Sequence, residues 1–168
     1  MNKPTQTRVR YAHTNLIAKD WQAMVRFYCE VFQCEPVGSE RDNHGPHIDA
    51  LTGLTGARVR GRHLRLPGHG ERGPTLEIFS YEQHLDAVPS ALNRPGFAHL
   101  AFELDDVERT RTAVLQRGGR DFGKLVTTEI AGAGWLTLVY MCDPEGNIIE
   151  LQRWHGSPAK DTNTRSSA

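Results

Sequence analysis

The sequence repeats itself. One shift carries His13 onto His99 and Asp20 onto Asp106. A second, slightly smaller shift carries Glu77 onto Glu150, Leu76 onto Ile149, Ile78 onto Leu151 and Tyr81 onto Trp154. Each half of the chain therefore opens on a strand with a histidine, passes a helix cap and closes on a strand with a glutamate. Short repeated units gain a continuous core by pairing. That restricts the 168 residues to two like modules and places any shared chemistry at equivalent positions.

Local patterns supply the elements. In Gly96–Asp106, Phe97, His99, Ala101 and Glu103 alternate with Ala98, Leu100, Phe102 and Leu104, the period of two of a strand. The second face is uniformly apolar and is expected to pack on helices; the first carries one imidazole. Val9 to Ile17 reads as the matching strand of the first half, with His13 and Asn15 on one face. Asp20 and either Asp105 or Asp106 are suited to cap the helices that follow. Trp21, Met24, Val25, Tyr28, Val31 and Phe32 recur at helical steps. Val107, Thr110, Val114 and Leu115 make a weaker stripe that Gly118-Gly119 stops.

Ser39 to Pro46 is polar and turn-rich, which predicts a mobile loop. Leu51 to Gly56 reads as a short turn of helix broken by glycines. Ala57–Leu66, Thr75–Tyr81, Trp135–Cys142 and Ile148–Trp154 read as strands, the last two joined by the turn Asp143–Asn147. One strand in each half is poorly marked. The expected class is α+β: two paired βαβββ modules forming a cleft of curled mixed sheets. The modules span 9–81 and 96–154, with a linker over 82–95, a disordered arm over 1–8 and a disordered tail over 155–168.

Composition enters by exclusion. Twenty Lys and Arg balance twenty Asp and Glu, so charge gives no pull toward nucleic acid or an anionic membrane. No apolar run approaches the ~20 residues that span a bilayer. Three cysteines, Cys29, Cys34 and Cys142, are odd in number and lack CxxC spacing. That argues against a disulfide scaffold or thiolate zinc cluster and for a cytoplasmic protein. Cys29, inside the helical pattern, reads as a small core residue.

Two curled sheets side by side would turn His13, Glu77, His99 and Glu150 into one cleft. Imidazole and carboxylate donors suit Zn, Ni, Co, Mn or Fe(II) better than a soft thiolate site does. On the pattern alone, the set reads equally as a metal site or as four separate strand residues.

The motifs then carry a family resemblance. They are His13-Thr14-Asn15-Leu16, Phe27-Tyr28-Cys29-Glu30-Val31-Phe32, Leu76-Glu77-Ile78, Gly96 to Phe102, and Asp143-Pro144-Glu145-Gly146-Asn147-Ile148-Ile149-Glu150-Leu151. Over roughly residues 9–154 the chain resembles the vicinal oxygen chelate superfamily of glyoxalase I, methylmalonyl-CoA epimerase, extradiol dioxygenases and bleomycin-resistance proteins. The resemblance implies a homodimer and a divalent metal ion held by the residues at positions 13, 77, 99 and 150. It also implies a small-molecule substrate with two vicinal oxygens. The implied chemistry is a lyase, isomerase or epimerase reaction by proton transfer next to a carbonyl through a metal-stabilised enolate, with Glu150 and Glu77 as the catalytic carboxylates. Ile17 and Tyr81 stand where glyoxalase I enzymes carry glutathione-binding arginine and asparagine, and Glu77 stands where methylmalonyl-CoA epimerases usually carry glutamine. These departures speak against a glutathione hemithioacetal substrate and leave a ketocyclitol or another acyl epimerase open.

Two rivals follow from the same residues. An Fe(II) extradiol-type dioxygenase would use His13, His99 and Glu150 as a facial triad; Glu77 counts against it as a fourth ligand. A metal-free protein that sequesters a small drug would have lost the ligands. His44, His47, His63, His69, His84 and His155 read as solvated residues of loops or tail, with His44 and His47 candidates for a cleft mouth. Arg58, Arg60, Arg62 and Arg65 read as a solvated strand face or, alternatively, as a site for a carboxylate or CoA phosphate.

Overall fold

Asp20 begins the first helix as its position predicts: its carboxylate accepts from the Ala23 amide at 2.9 Å, and the helix α1 runs Trp21–Phe32. Asp106 does the same for a second helix, Val107–Gln116, accepting from the Arg109 amide at 2.9 Å. The two caps occupy repeat-equivalent positions, and each starts the crossover that follows a histidine strand. The computed structural model describes residues 8–155. It is a mixed α+β chain that divides between Asp86 and Ala87 into two compact units. Apart from Arg8 and His155, the expected arm and tail lie outside the described residues.

In the first unit, β1 (His13–Ile17) leads through α1 to β2 (Glu35–His44), α2 (Pro46–Thr52), β3 (Arg58–Arg65) and β4 (Thr75–Tyr81). The sheet order is β1-β4-β3-β2. β2, β3 and β4 form an antiparallel meander, and β4 returns parallel to β1. In the second unit, β5 (His99–Glu103) leads to α3, the helix capped by Asp106, then β6 (Arg120–Asp121), β7 (Val126–Ile130), β8 (Gly134–Cys142) and β9 (Ile148–His155). Here β5 is parallel to β9, β9 is antiparallel to β8, and β6 and β7 both pair with β8.

One face of each sheet is covered by its helix. Met24, Phe27, Tyr28, Val31 and Phe32 of α1 are buried, as are Leu64, Leu76 and Ile78 of the strands beneath. In the second unit Val107 and Val114 of α3 are buried, as are Phe102, Val139, Met141, Ile149 and Leu151. Truncating such a fully buried aliphatic to alanine typically costs about 2–5 kcal/mol, so these layers fix which face each glutamate takes. Glu77 alternates with Leu76 and Ile78, and Glu150 with Ile149 and Leu151, so both turn away from the helices. On the open face of the first sheet, α2 adds a small cluster of Ile48, Ala57, Val59 and Phe79, with Tyr81 against it.

Several expectations need correction. The segment 39–46 is not a mobile loop: all but its last two residues lie in the edge strand β2, and Pro46 starts α2. Its polar residues are what an exposed edge strand carries to avoid pairing with other chains. The strand expected from Val9 starts at His13, and the one expected from Gly96 starts at His99. Their neighbours β4 and β9 begin opposite these histidines, at Thr75 and Ile148, so the ladders start there, with the Ala12 carbonyl accepting from the Thr75 amide. His44, His63 and His155 lie in strands, not in loops or tail. The arginine stripe of β3 is laced to acids of β2. Arg58 makes a two-pronged pair with Asp42 (2.8 and 2.7 Å), Arg60 lies 3.4 Å from Asp42, Arg62 3.9 Å from Glu40 and Arg65 2.8 Å from Glu35.

Candidate metal centre

β1 and β4 are adjacent and parallel, with His13 opposite Thr75 and Asn15 opposite Glu77. His13 therefore sits one pleat from Glu77 on the same face. Its Nε2 lies 3.3 Å from Glu77 Oε2, and Asn15 Nδ2 donates to that oxygen at 3.1 Å. On the other side β3 places His63 directly opposite Glu77. His63 Nε2 lies 2.8 Å from Glu77 Oε1. A carboxylate that accepts from Asn15 and has an imidazole nitrogen against each oxygen has partners on both sides, which is what lets a glutamate sit with 13% side-chain exposure.

The second unit repeats the arrangement with one change. β5 and β9 are adjacent and parallel, with His99 opposite Ile148 and Ala101 opposite Glu150. His99 Nε2 lies 3.1 Å from Glu150 Oε2, and Glu150 keeps 11% side-chain exposure. Opposite Glu150 on β8 stands Tyr140, so Tyr140 is the positional counterpart of His63. Its ring lies 5.1 Å from the His99 ring. Burial raises the phenol above its ordinary value, and the Glu150 carboxylate nearby adds to that.

The four residues singled out by the repeat thus fall into two imidazole–carboxylate pairs, one per unit, at equivalent register positions. Each pair joins an imidazole nitrogen to a carboxylate oxygen, donor types that suit a divalent cation. Among the described residues, no group of three or more His, Cys, Asp and Glu side chains is arranged to hold a metal ion. His13 and His63 both lie against Glu77, on different oxygens of its carboxylate.

His63 and Tyr140 escaped the sequence reading. His63 is flanked by Arg62, Leu64 and Arg65, which hides it in a basic stripe. The available signal was its place on the same strand face as Val59 and Gly61, opposite a strand whose glutamate needed a partner. His44 and His47, the candidates for a cleft mouth, are exposed.

Residues 10–151 match the family model of the glyoxalase/bleomycin resistance protein/dioxygenase superfamily. The chain belongs to that superfamily. It is similar to a glyoxalase family protein from Bacillus cereus, with 17% identity, a TM-score of 0.79, and coverage of 92% of this chain and 100% of that one. It is also similar to a glyoxalase family protein from Enterococcus faecalis (25% identity, TM-score 0.54, 86% of this chain and 96% of that one). A third likeness is to a glyoxalase/bleomycin resistance protein/dioxygenase domain from Frankia (17% identity, TM-score 0.54, 89% and 100%). No curated protein matches the sequence. No helix among the described residues is long and apolar enough to cross a membrane.

Proposed function

We propose that the protein is a divalent-metal-dependent lyase, isomerase or epimerase of the glyoxalase-like type, with His13, Glu77, His99 and Glu150 as its metal ligands. The observation that supports this reading is the doubled pairing of an imidazole Nε2 with a carboxylate, at 3.3 Å in one unit and 3.1 Å in the other. A bound cation supplies Lewis-acid stabilisation of the negative charge that develops on substrate oxygen as a proton leaves the neighbouring carbon. The chain's own residues supply the rest. His13 and His99 orient the site, and a glutamate carboxylate takes the proton from carbon and returns it. Glu150, which stands opposite Tyr140 in the ladder, and Glu77, which has nitrogen atoms against both carboxylate oxygens, are the two candidates for that transfer. Two carboxylates in different settings suit proton removal and return at one carbon.

Elemental analysis of the purified protein, followed by titration of metal-stripped protein with Zn²⁺, Ni²⁺, Co²⁺ and Mn²⁺, tests the ligand set. One equivalent in the wild type and weakened binding in Glu77→Gln and Glu150→Gln support it. Deuterium uptake from solvent into 2-oxo or thioester compounds tests the reaction class. Oxygen-dependent ring cleavage of a catechol with bound iron would instead establish a dioxygenase. Absence of metal, with unchanged binding of small aromatic molecules by both variants, would establish a drug-binding protein.

A further inference from the structure

The carboxylate of Glu77 has two oxygens, and the structure assigns them to different neighbours. Oε2 is on the β1 side, 3.3 Å from Nε2 of His13, and accepts from Asn15 Nδ2 at 3.1 Å. Oε1 is 2.8 Å from Nε2 of His63, across the β3–β4 ladder. Glu77 as a carboxylate can only accept, so Nε2 of His63 carries the hydrogen. The other ring nitrogen, Nδ1, lies within hydrogen-bond distance of the Thr75 hydroxyl, at 3.2 Å, which holds the ring from its far edge.

The imidazole is also held from the side. Phe79 packs edge-on to it at 5.9 Å, and its ring is seated over Gly61, where a side chain would collide with the Phe79 ring and the Ile78 carbonyl. His63 is thus fixed by Thr75, Phe79 and Glu77 at once. The half-buried ring occupies the position that Tyr140 holds in the second unit.

From this we infer that His63 is a positioning residue for Glu77. It holds Oε1, so that Oε2, the oxygen beside His13 and Asn15, is the one turned toward a metal ion. The inference rests on the proposed ligand set and extends it to a residue outside that set. Hydrogen-bonded partners of ligating carboxylates typically change metal affinity by about 10–100-fold when removed.

The test uses the full-length protein, stripped of metal, and Co²⁺ alone as the probe, read by equilibrium dialysis and by the visible absorption of the bound ion. Far-UV circular dichroism reports folding in parallel. His63→Leu is expected to weaken Co²⁺ binding about 10–100-fold and to alter the absorption band. His63→Gln, whose side-chain amide can donate where Nε2 does, is expected to restore most of the affinity. Binding by His63→Leu that equals the wild type overturns the inference alone. So does equal weakening in the Leu and Gln variants, since that would trace the loss to the shape of the ring and not to the hydrogen bond. A wild-type protein that takes up no Co²⁺ or Zn²⁺ overturns both the inference and the proposed function.

Discussion

Gly61 shows how one missing side chain organises a site. It stands opposite Phe79 in the β3–β4 ladder, and the Phe79 ring lies where its Cβ would be. Gly61→Ala meets backbone as well as ring, so relaxation of a flexible tip cannot absorb it. It should destabilise the fold by about 1–3 kcal/mol, the usual range for overpacking, as measured by urea denaturation. Asp143 makes the complementary case for a buried polar group. It is 1% exposed and accepts from the Glu145 amide, the Asn147 amide and the Asn147 side chain at 2.8–3.0 Å. Asp143→Ala leaves those donors unpaired inside the turn before β9 and should cost about 3 kcal/mol, read by the same method. The sequence showed a turn here from Pro144 and Gly146, but not that the aspartate is buried within it.

At the level of elements, the edge strand β2 is held by charge. The hydrogen bond from Arg58 holds the Asp42 carboxyl down to about 2, with the neighbouring positive charges helping. A carboxyl lowered in the folded protein stabilises above its ordinary value near 3.8 and loses that contribution as pH falls through about 2. Asp42→Asn should therefore flatten the pH dependence of the urea midpoint between about pH 4 and pH 2, by a small amount because the pair is exposed. The same charges explain why β2 was illegible. A strand is recognised by an apolar face, and residues 39–44, Ser-Glu-Arg-Asp-Asn-His, have none. Its strand character comes from its neighbour, whose arginines meet Asp42, Glu40 and Glu35 across the ladder. By contrast α1, α3, β4 and β9 were legible because each carries its own signal. The helices have an aspartate cap before a helical stripe, and the strands have alternation around a glutamate. The repeat in turn exposed His13, Glu77, His99 and Glu150, since each has a counterpart of the same type. His63 stayed hidden because its counterpart is a tyrosine.

For the molecule as a whole, a cation bound by the folded chain and not by the unfolded one must raise stability by mass action. At a free concentration a hundred times Kd the gain is about 2.7 kcal/mol. Thermal melts with added Co²⁺ should show the shift in the wild type and a smaller one in Glu150→Gln at the same Co²⁺ concentration; no shift in the wild type would count against the metal reading.

The cysteines offer a different view of the same two units. Cys34 is buried in the first, where burial pushes its thiol up to about 12; Cys142 is fully enclosed in the second, also with a raised thiol. Neither presents a reactive thiolate while its surroundings stay closed. Once Cys29, which is less enclosed, is replaced by serine, an alkylating reagent becomes a stopwatch for breathing. Each thiol is modified no faster than its own unit opens. Two rates would mean that the halves of this duplicated chain loosen independently, and one shared rate that they open together.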